Sequence, residues 1–479
     1  MNNMAKNSLF NILYKGCNVL YPMIVSAYIS RIFMADGVGQ IYFAINIITY
    51  FTIAASLGIP NYAVKILASQ RDCRCEINKR FSEMASLIFI SSAGVSVIYY
   101  MSIFFMYSGS QRIISFILGL MLISNVFNYD WLYEALEKFS YLAIRTIIIK
   151  ACTLLFMFLF VKSRDDVIVY CFLYSMTTVF NNISNRIFAA KYVSFTKEGL
   201  DFKNHIKPVL ILFAAAFATE LYTLLDSTML GVMCESKYLG YYTNASKTVR
   251  AAYGVLFAAT GVYNPRLSYI YGIGDKKAYK AILQKYYDMS MWLAIPAMFG
   301  LMILSDKITV LLFGIDFIPA TITLKILSVL IVIFTLATVF GHIPLVIYGK
   351  ERNILYATIV GAIINFSLNQ LMIPFLNNNG AAIASIASET IVTFILMYSS
   401  LKFVRIKIIN KNLITEIIST IIMSFIVYLI NRIISNMFLC IIMSLIVGVI
   451  SYVLSLLILK NDIIHNAFNC IRRKIQYLK

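Results

Sequence analysis

MFLCIIMSLIVGVISYVLSLLIL, residues 437–459, runs for 23 residues without one charged side chain. The hydrocarbon core of a bilayer is about 30 Å thick, and a helix needs about 20 residues to cross it. Inside that core every backbone N–H and C=O must be satisfied within the segment, which a helix does by itself. Working back from this run, apolar stretches of spanning length recur at 413–431, 380–401, 354–375, 322–344, 288–313, 245–270, 208–233, 166–189, 140–161, 113–133, 84–107, 41–62 and 9–33. With the run at 437–459 they predict an all-α polytopic membrane protein of about 14 transmembrane helices. Pro22 and Pro296 interrupt two of the stretches and mark candidate kinks.

Composition agrees. Of 479 residues, 60% are AVILMFWYC and 13% are charged, against about 45–50% and about 25% in soluble proteins. A water-facing surface cannot hide that excess, so a soluble enzyme, a disordered chain and a secreted disulfide scaffold are excluded. The eight cysteines are scattered and form no CxxC, which argues against a zinc ribbon or a thioredoxin-type motif. The run at 9–33 is too long for a signal-peptide core and lacks a small-residue cleavage site, so it is expected to stay as the first span.

The formal net charge of +19 suggests nucleic acid at first sight. Its distribution points to topology instead. With the N-terminus inside, 29 Lys and Arg fall in inside segments and 7 in outside ones, with five more within spans. Cytoplasmic loops carry this excess, so both termini are expected in the cytoplasm, and no nucleic-acid partner is expected. A missed span would have inverted the bias beyond it. No loop is long enough for a soluble domain.

A short repeat is visible. Gly39-Gln-Ile-Tyr42-Phe-Ala44 opens the run that closes with Gly58-Ile-Pro60, and Gly240-Tyr-Tyr242-Thr-Asn-Ala245 opens the one that closes with Pro265. An offset of about 200 residues fits six spans followed by six more in the same orientation. The expected division is 1–200 and 201–410 as two six-helix bundles, then 411–479 as two additional helices with a basic cytoplasmic tail.

Seven ionisable residues lie at membrane depth: Arg145, Lys150, Glu220, Asp226, Lys247, Arg250 and Glu389. Each costs about 2.5–3.5 kcal/mol at a helix centre facing lipid. Together that is on the order of 20 kcal/mol, more than a typical folding stability of about 5–15 kcal/mol. They are therefore expected to face the bundle interior or a wet cavity. Lys247 and Arg250 are three apart and share a helix face. With Asp226 at similar depth they form either a structural ion pair between helices or a cationic cavity wall. Arg145 and Lys150 have no acid in their own span, and an unpaired cation invites an external anion.

Several stretches, in order, carry a family likeness. They are Ile29-Ser-Arg31-Ile-Phe, Gly37-Val-Gly39-Gln-Ile-Tyr42, Leu57-Gly58-Ile-Pro60 and Asp130-Trp131-Leu-Tyr133-Glu-Ala-Leu-Glu137-Lys138-Phe. Asp226 with Met229-Leu-Gly231, Leu239-Gly240-Tyr-Tyr242-Thr-Asn-Ala245-Ser-Lys247, Asn264-Pro265-Arg266-Leu-Ser268, Leu312-Phe313-Gly314 and Gly380-Ala-Ala-Ile-Ala384 follow. The sequence resembles the polysaccharide transporter branch of the MOP (MATE-like) superfamily, the Wzx-type O-antigen flippases. That resemblance implies two six-helix bundles around a cavity plus two C-terminal helices, working by alternating access. It implies a substrate of undecaprenyl-pyrophosphate-linked glycan, O-antigen or capsule type, moved from the inner to the outer leaflet of the bacterial inner membrane. Membrane lipids, a polysaccharide polymerase and chain-length proteins are the implied partners. Arg31, Asp226, Lys247 and Arg250 are carried over as cavity residues. Arg145 and Lys150 join them from the burial argument, so that Arg31, Arg145, Lys150, Lys247 and Arg250 are the expected substrate-binding cations. An Arg fork suits phosphate geometry.

No catalytic residue, metal site or cofactor is expected. The chain has no Walker A and no HExxH, and the acids at depth sit in separate stretches. A proton or sodium gradient coupling through Glu220, Asp226 or Glu389 is left open, as is pull from downstream polymerisation. A lipid II or other cell-wall precursor flippase also fits fourteen spans. A MATE-type cation or drug antiporter calls for twelve spans and an acidic cavity, and a membrane glycosyltransferase or polymerase for a large outside loop with catalytic acids.

Overall fold

The computed structural model describes residues 3–70, 73–197 and 199–465, with side chains from residue 16 onward except Val19. Arg71, Cys470, the basic tail residues Arg472, Arg473, Lys474 and Lys479, and the side chains of Lys6 and Lys15 lie outside the described residues.

Two compact units divide the chain, 1–240 and 241–479. The first holds α1 (Asn3–Ser56), α2 (Ile59–Ser69), α3 (Arg74–Met106), α4 (Gly109–Ser124), α5 (Asp130–Ala135), α6 (Phe139–Phe160), α7 (Val167–Ala189) and α8 (Lys203–Met233). α9 (Ser236–Thr260) begins there and continues into the second unit. That unit holds α10 (Tyr263–Ile273), α11 (Lys276–Ile303), α12 (Ser305–Phe313), α13 (Ala320–Ser328), α14 (Leu330–Ala337), α15 (Ile343–Ile347), α16 (Glu351–Leu401), α17 (Lys411–Ile433) and α18 (Met437–Ile458). No strand occurs among the described residues.

Among the described residues, ten helical segments are long and apolar enough to cross a bilayer, eleven when the bent pair α11–α12 is taken as one. Fourteen differs from that number for two reasons. α1 is continuous over 54 residues and α16 over 51, so each covers two expected spans. At about 1.5 Å per residue either is more than twice the bilayer thickness, and each is broken by one residue of positive φ, Met34 (57°) and Asn377 (49°). α9 falls outside the ten because Lys237, Lys247 and Arg250 lower its apolar character.

The breaks differ from the expected proline kinks. Pro22 lies in α1 well before its break at Met34, and Pro296 lies inside α11, which has no break. The expected span 288–313 instead turns by 72° between α11 and α12, where Ser305, Asp306 and Lys307 follow. Lys307 Nζ donates to the Ile434 carbonyl at 3.2 Å. The expected span 113–133 is interrupted after Ser124 by a 3-10 turn at Asn125–Phe127. Asn125 Nδ2 donates to Ser92 Oγ at 3.0 Å, which ties the turn to α3. α5 then folds its Trp131 and Tyr133 into the core, both at most 1% exposed.

Glycines of the quoted motifs sit where backbones touch. A Cβ on Gly39 would lie 1.8 Å from the Ser236 carbonyl oxygen, and one on Gly240 would lie 2.2 Å from that of Ala35. In lipid, where burial of apolar surface drives little, such close approach is what holds helices together. Gly380, just past the Asn377 break, lets the second leg of α16 meet the Met372 carbonyl, 2.4 Å from where its Cβ would be. Gly58 has φ 70° and faces the backbone nitrogen of Phe213, 2.5 Å from the same ideal position. Gly58→Ala is therefore expected to cost about 1–3 kcal/mol, from the left-handed backbone and the clash together. A lower unfolding temperature in detergent checks it, and an unchanged midpoint would show that α2 and α8 do not meet this way.

Candidate functional site

α2 and the first turns of α8 flank a cleft of ≈ 680 Å³ in the first unit. α2 follows α1 through the left-handed N-cap Gly58, with Pro60 in its first turn. Its register then places Asn61, Lys65 and Ser69 four apart, on one face, and all three line the cleft. Lys207 and Pro208 enter from α8, with Ile211 and Leu212 as an apolar wall. Both lysines are exposed. Two ammonium groups beside apolar side chains suit an anionic head on an apolar tail.

Behind the cleft stands a buried polar cluster. Tyr62, which lines the cleft, has its hydroxyl 2.9 Å from His205 Nδ1. His205 Nε2 donates to Glu83 Oε2 at 3.0 Å. The same carboxylate oxygen accepts from Arg80 at 3.0 Å, and Oε1 accepts the Asp201 backbone N–H at 2.9 Å. Glu83 is fully buried and His205 nearly so. One carboxylate thus ties α3 to the start of α8 and, through His205, orients Tyr62.

Arg145 corrects the expectation of an unpaired cation. Its side chain is 6% exposed, and its guanidinium donates to Asp130 at 3.0 Å and to the Asn185 side-chain oxygen. Asn185 Nδ2 also donates to Asp130 at 2.7 Å. The acid comes from α5, the preceding helix, and so a search of Arg145's own span missed it. Lys150 is half-buried and has neutral company, Asn18 Oδ1 at 2.5 Å and the Tyr21 ring at 4.9 Å. Arg250 is exposed, with its guanidinium 5.9 Å from the Phe334 ring. Arg31 is exposed, Glu220, Lys247 and Glu389 are half-buried, and Asp226 is buried. Beside Asp226, the α1–α8 seam is polar: Asn46 donates to Ser227 at 3.0 Å, and the Tyr50 and Thr228 hydroxyls lie 2.9 Å apart.

The second unit has a smaller cleft of ≈ 410 Å³ beside α10, with Asn264, Ser268 and His342 among its lining. His342 ends a π-helical stretch, Thr338–His342. Asn264 and Ser268 are four apart, as Asn61 and Lys65 are on α2, and here no lysine takes part.

Lys65 and Lys207 escaped the sequence reading, which counted them only as inside topology determinants. The polar period of 61, 65 and 69 was the available signal. Among the described residues no group of three or more His, Cys, Asp or Glu is placed to hold a metal ion.

Comparison with known proteins places this architecture. The chain is 23% identical over 416 residues to a Shigella dysenteriae protein named "Putative O-antigen transporter", covering 82% of this chain and 99% of that one. Among solved structures, the lipid II flippase MurJ in an inward closed conformation superposes with a TM-score of 0.74 at 18% identity, over 95% of this chain and 99% of that one. An inward-facing MATE family multidrug transporter of the MOP superfamily superposes at 0.63 and 11% identity, over 80% of this chain and 93% of that one. Such likenesses show that the chain shares the fold of these solved transporters. A family model described as "Polysaccharide biosynthesis protein" matches residues 4–271, more than half of the chain, and the chain therefore belongs to that polysaccharide biosynthesis family.

Proposed function

We propose that the protein is a flippase for lipid-linked oligosaccharides, moving undecaprenyl-pyrophosphate-linked repeat units from the inner to the outer leaflet of the bacterial inner membrane by alternating access. The observation that carries the reading is the cleft of α2 and α8, with its two ammonium groups against an apolar wall, in a chain of the polysaccharide biosynthesis family. A glycan headgroup and pyrophosphate cannot cross about 30 Å of hydrocarbon unaided. Lys65 and Lys207 supply charge-assisted hydrogen bonds in place of water, while the prenyl tail stays beside apolar side chains. Lys150, Arg31, Lys247 and Arg250 are proposed as further stations for the anion, and Glu220, Asp226 and Glu389 as coupling or gating acids. Arg145, committed to Asp130, is proposed to shape the site rather than to take the phosphate. The fourteen spans, the division at 200 and 410, and the cytoplasmic termini belong to the same proposal.

Deleting the gene should strand lipid-linked repeat units in the inner leaflet, and normal surface polysaccharide would overturn the reading. A charge-assisted hydrogen bond contributes about 1.5–3 kcal/mol. Lys65→Ala or Lys207→Ala should therefore raise the substrate concentration for half-maximal translocation by about tenfold or more, with insertion unaffected. Unchanged transport in the double variant would remove the cleft from the pathway. Cysteine accessibility should place 190–207 inside and 234–240 outside. The likeness to the lipid II flippase favours a second reading, a cell-wall precursor as cargo, and the composition of the stranded lipid separates the two.

A further inference from the structure

Two acids of the second unit lie in one polar patch where α11 and α17 pack, and their surroundings are opposite. Asp288 on α11 is supplied with donors: Gln284 Nε2 at 2.9 Å, Asn410 Nδ2 at 2.8 Å and Asn412 Nδ2 at 3.1 Å. Three amide N–H groups are what an ionised carboxylate needs when it leaves water. Glu416, five residues into α17, is fully buried, and neither of its carboxyl oxygens has a hydrogen-bond partner among the described residues. Its nearest polar company is neutral: the buried Ser419 and Thr420 hydroxyls one turn on, and the Asn461 amide. Asn461 Nδ2 donates to Thr415 Oγ1 at 2.8 Å, and Lys411 reaches Asp462 at 3.8 Å with both side chains more than half exposed.

The titratable groups around Glu416 give it no counter-charge. From α11 come Asp288 and Tyr287, whose hydroxyl donates to the Ile408 carbonyl at 3.0 Å. From α18 comes Tyr452, whose hydroxyl donates to the Trp292 carbonyl at 2.9 Å. From the segment after α18 comes Asp462, and on α17 itself Lys411, already paired with it. A charged carboxylate left there without donors or cation carries a desolvation cost that a neutral carboxylic acid avoids. Pairs of acids held in opposite environments divide into one ionised and one protonated group.

We propose that Glu416 is a proton-binding site in the C-terminal helical pair: it holds a proton at neutral pH while α17 is packed on α11, and releases it when that contact opens to water. The site is separate from the cationic cleft and from the acids assigned to coupling above, and it stands whatever the cargo is. In this state Asp288 fastens the Asn410 end of α17 and Glu416 sits one turn further in, so separating the two helices hydrates both acids at once.

The test uses the purified full-length protein in detergent. Infrared difference spectroscopy across a pH step should show a protonated-carboxyl stretch at neutral pH that Glu416→Gln removes. Unfolding midpoints give an independent reading. A proton bound by the folded state and absent from the unfolded one makes folding less favourable as pH rises, by up to tenfold in the equilibrium constant per unit. The wild-type midpoint should therefore fall relative to Glu416→Gln between about pH 5 and about pH 8. Parallel pH profiles with no carboxyl band would overturn the proposal. So would stabilisation of the wild type by sodium that Glu416→Gln abolishes, which would make this a metal-cation site. Should Glu416→Gln fail to fold, Glu416→Asp with residue-type carbon-13 labelling decides: the band moves from the glutamate to the aspartate frequency, or the proposal fails.

Discussion

Glu83→Ala is expected to lose about 3–5 kcal/mol of stability, the usual result of removing one partner from a buried charged network. Three donors converge on that side chain: Arg80, His205 and the Asp201 backbone N–H, at 3.0, 3.0 and 2.9 Å. Arg80 keeps 23% of its side chain exposed and can turn to water, and it also has Glu76 at 3.9 Å. His205 is 4% exposed and has no such escape. Against a stability of about 5–15 kcal/mol, the loss is enough to reduce folded protein in the membrane. Glu83→Gln keeps an acceptor but turns an NH₂ toward donors, so it should fall between alanine and wild type. Arg80→Ala should cost less than either. Thermal unfolding and the monodisperse fraction in detergent measure the order; Glu83→Ala as stable as wild type would mean that the cluster contributes nothing. Protein of that variant which does fold should transport poorly, because Tyr62 on the wall of the cleft loses the histidine that His205's own anchor holds in place.

The membrane class was legible because hydrophobic run length is a property of single segments. The run at 437–459 needs no tertiary information to be read as a span, and it appears as α18, one residue shorter at its C-terminal end. The breaks were less legible. Met34 and Asn377 take positive φ without being glycine, and the bend after Ile303 falls at Leu304 rather than at Pro296. The site shows the same division. Charges at depth are visible one by one, whereas their partners are not. Arg145 looked isolated because Asp130 lies fifteen residues earlier, beyond a turn. In sequence Glu416, near the start of the apolar run 413–431, resembles an ordinary helix end, and only the packing of α11 and α18 against it removes the water. Lys65 reads by itself as one more inside cation, although Asn61 and Ser69 at its helical spacing mark a polar face.

Asp130→Ala is the second change expected to have a large effect, and it separates a structural from a substrate role for the Arg145 cluster. The two partners are unequally placed: the Arg145 side chain is 6% exposed and that of Asp130 34%. Removing the acid strands a cation that cannot reach water, which should cost about 3–5 kcal/mol. Removing the cation leaves an acid that can rehydrate and still holds the Asn185 amide at 2.7 Å, so Arg145→Ala should cost about 1–3 kcal/mol, near the penalty of an unsatisfied polar group. The same inequality predicts a compensating pair. Asp130→Leu with Arg145→Met replaces both charges by apolar groups and should recover most of the stability lost in Asp130→Ala, giving a favourable coupling energy in a double-mutant cycle. A substrate role predicts a different pattern: Arg145→Ala would keep full stability and lose transport, and the double replacement would restore stability while transport stayed lost. Measuring unfolding midpoints and translocation on the same four proteins distinguishes the patterns. Recovery of both stability and transport in the double variant would assign the pair to holding α5 and α7 against α6, with the anion held by other residues.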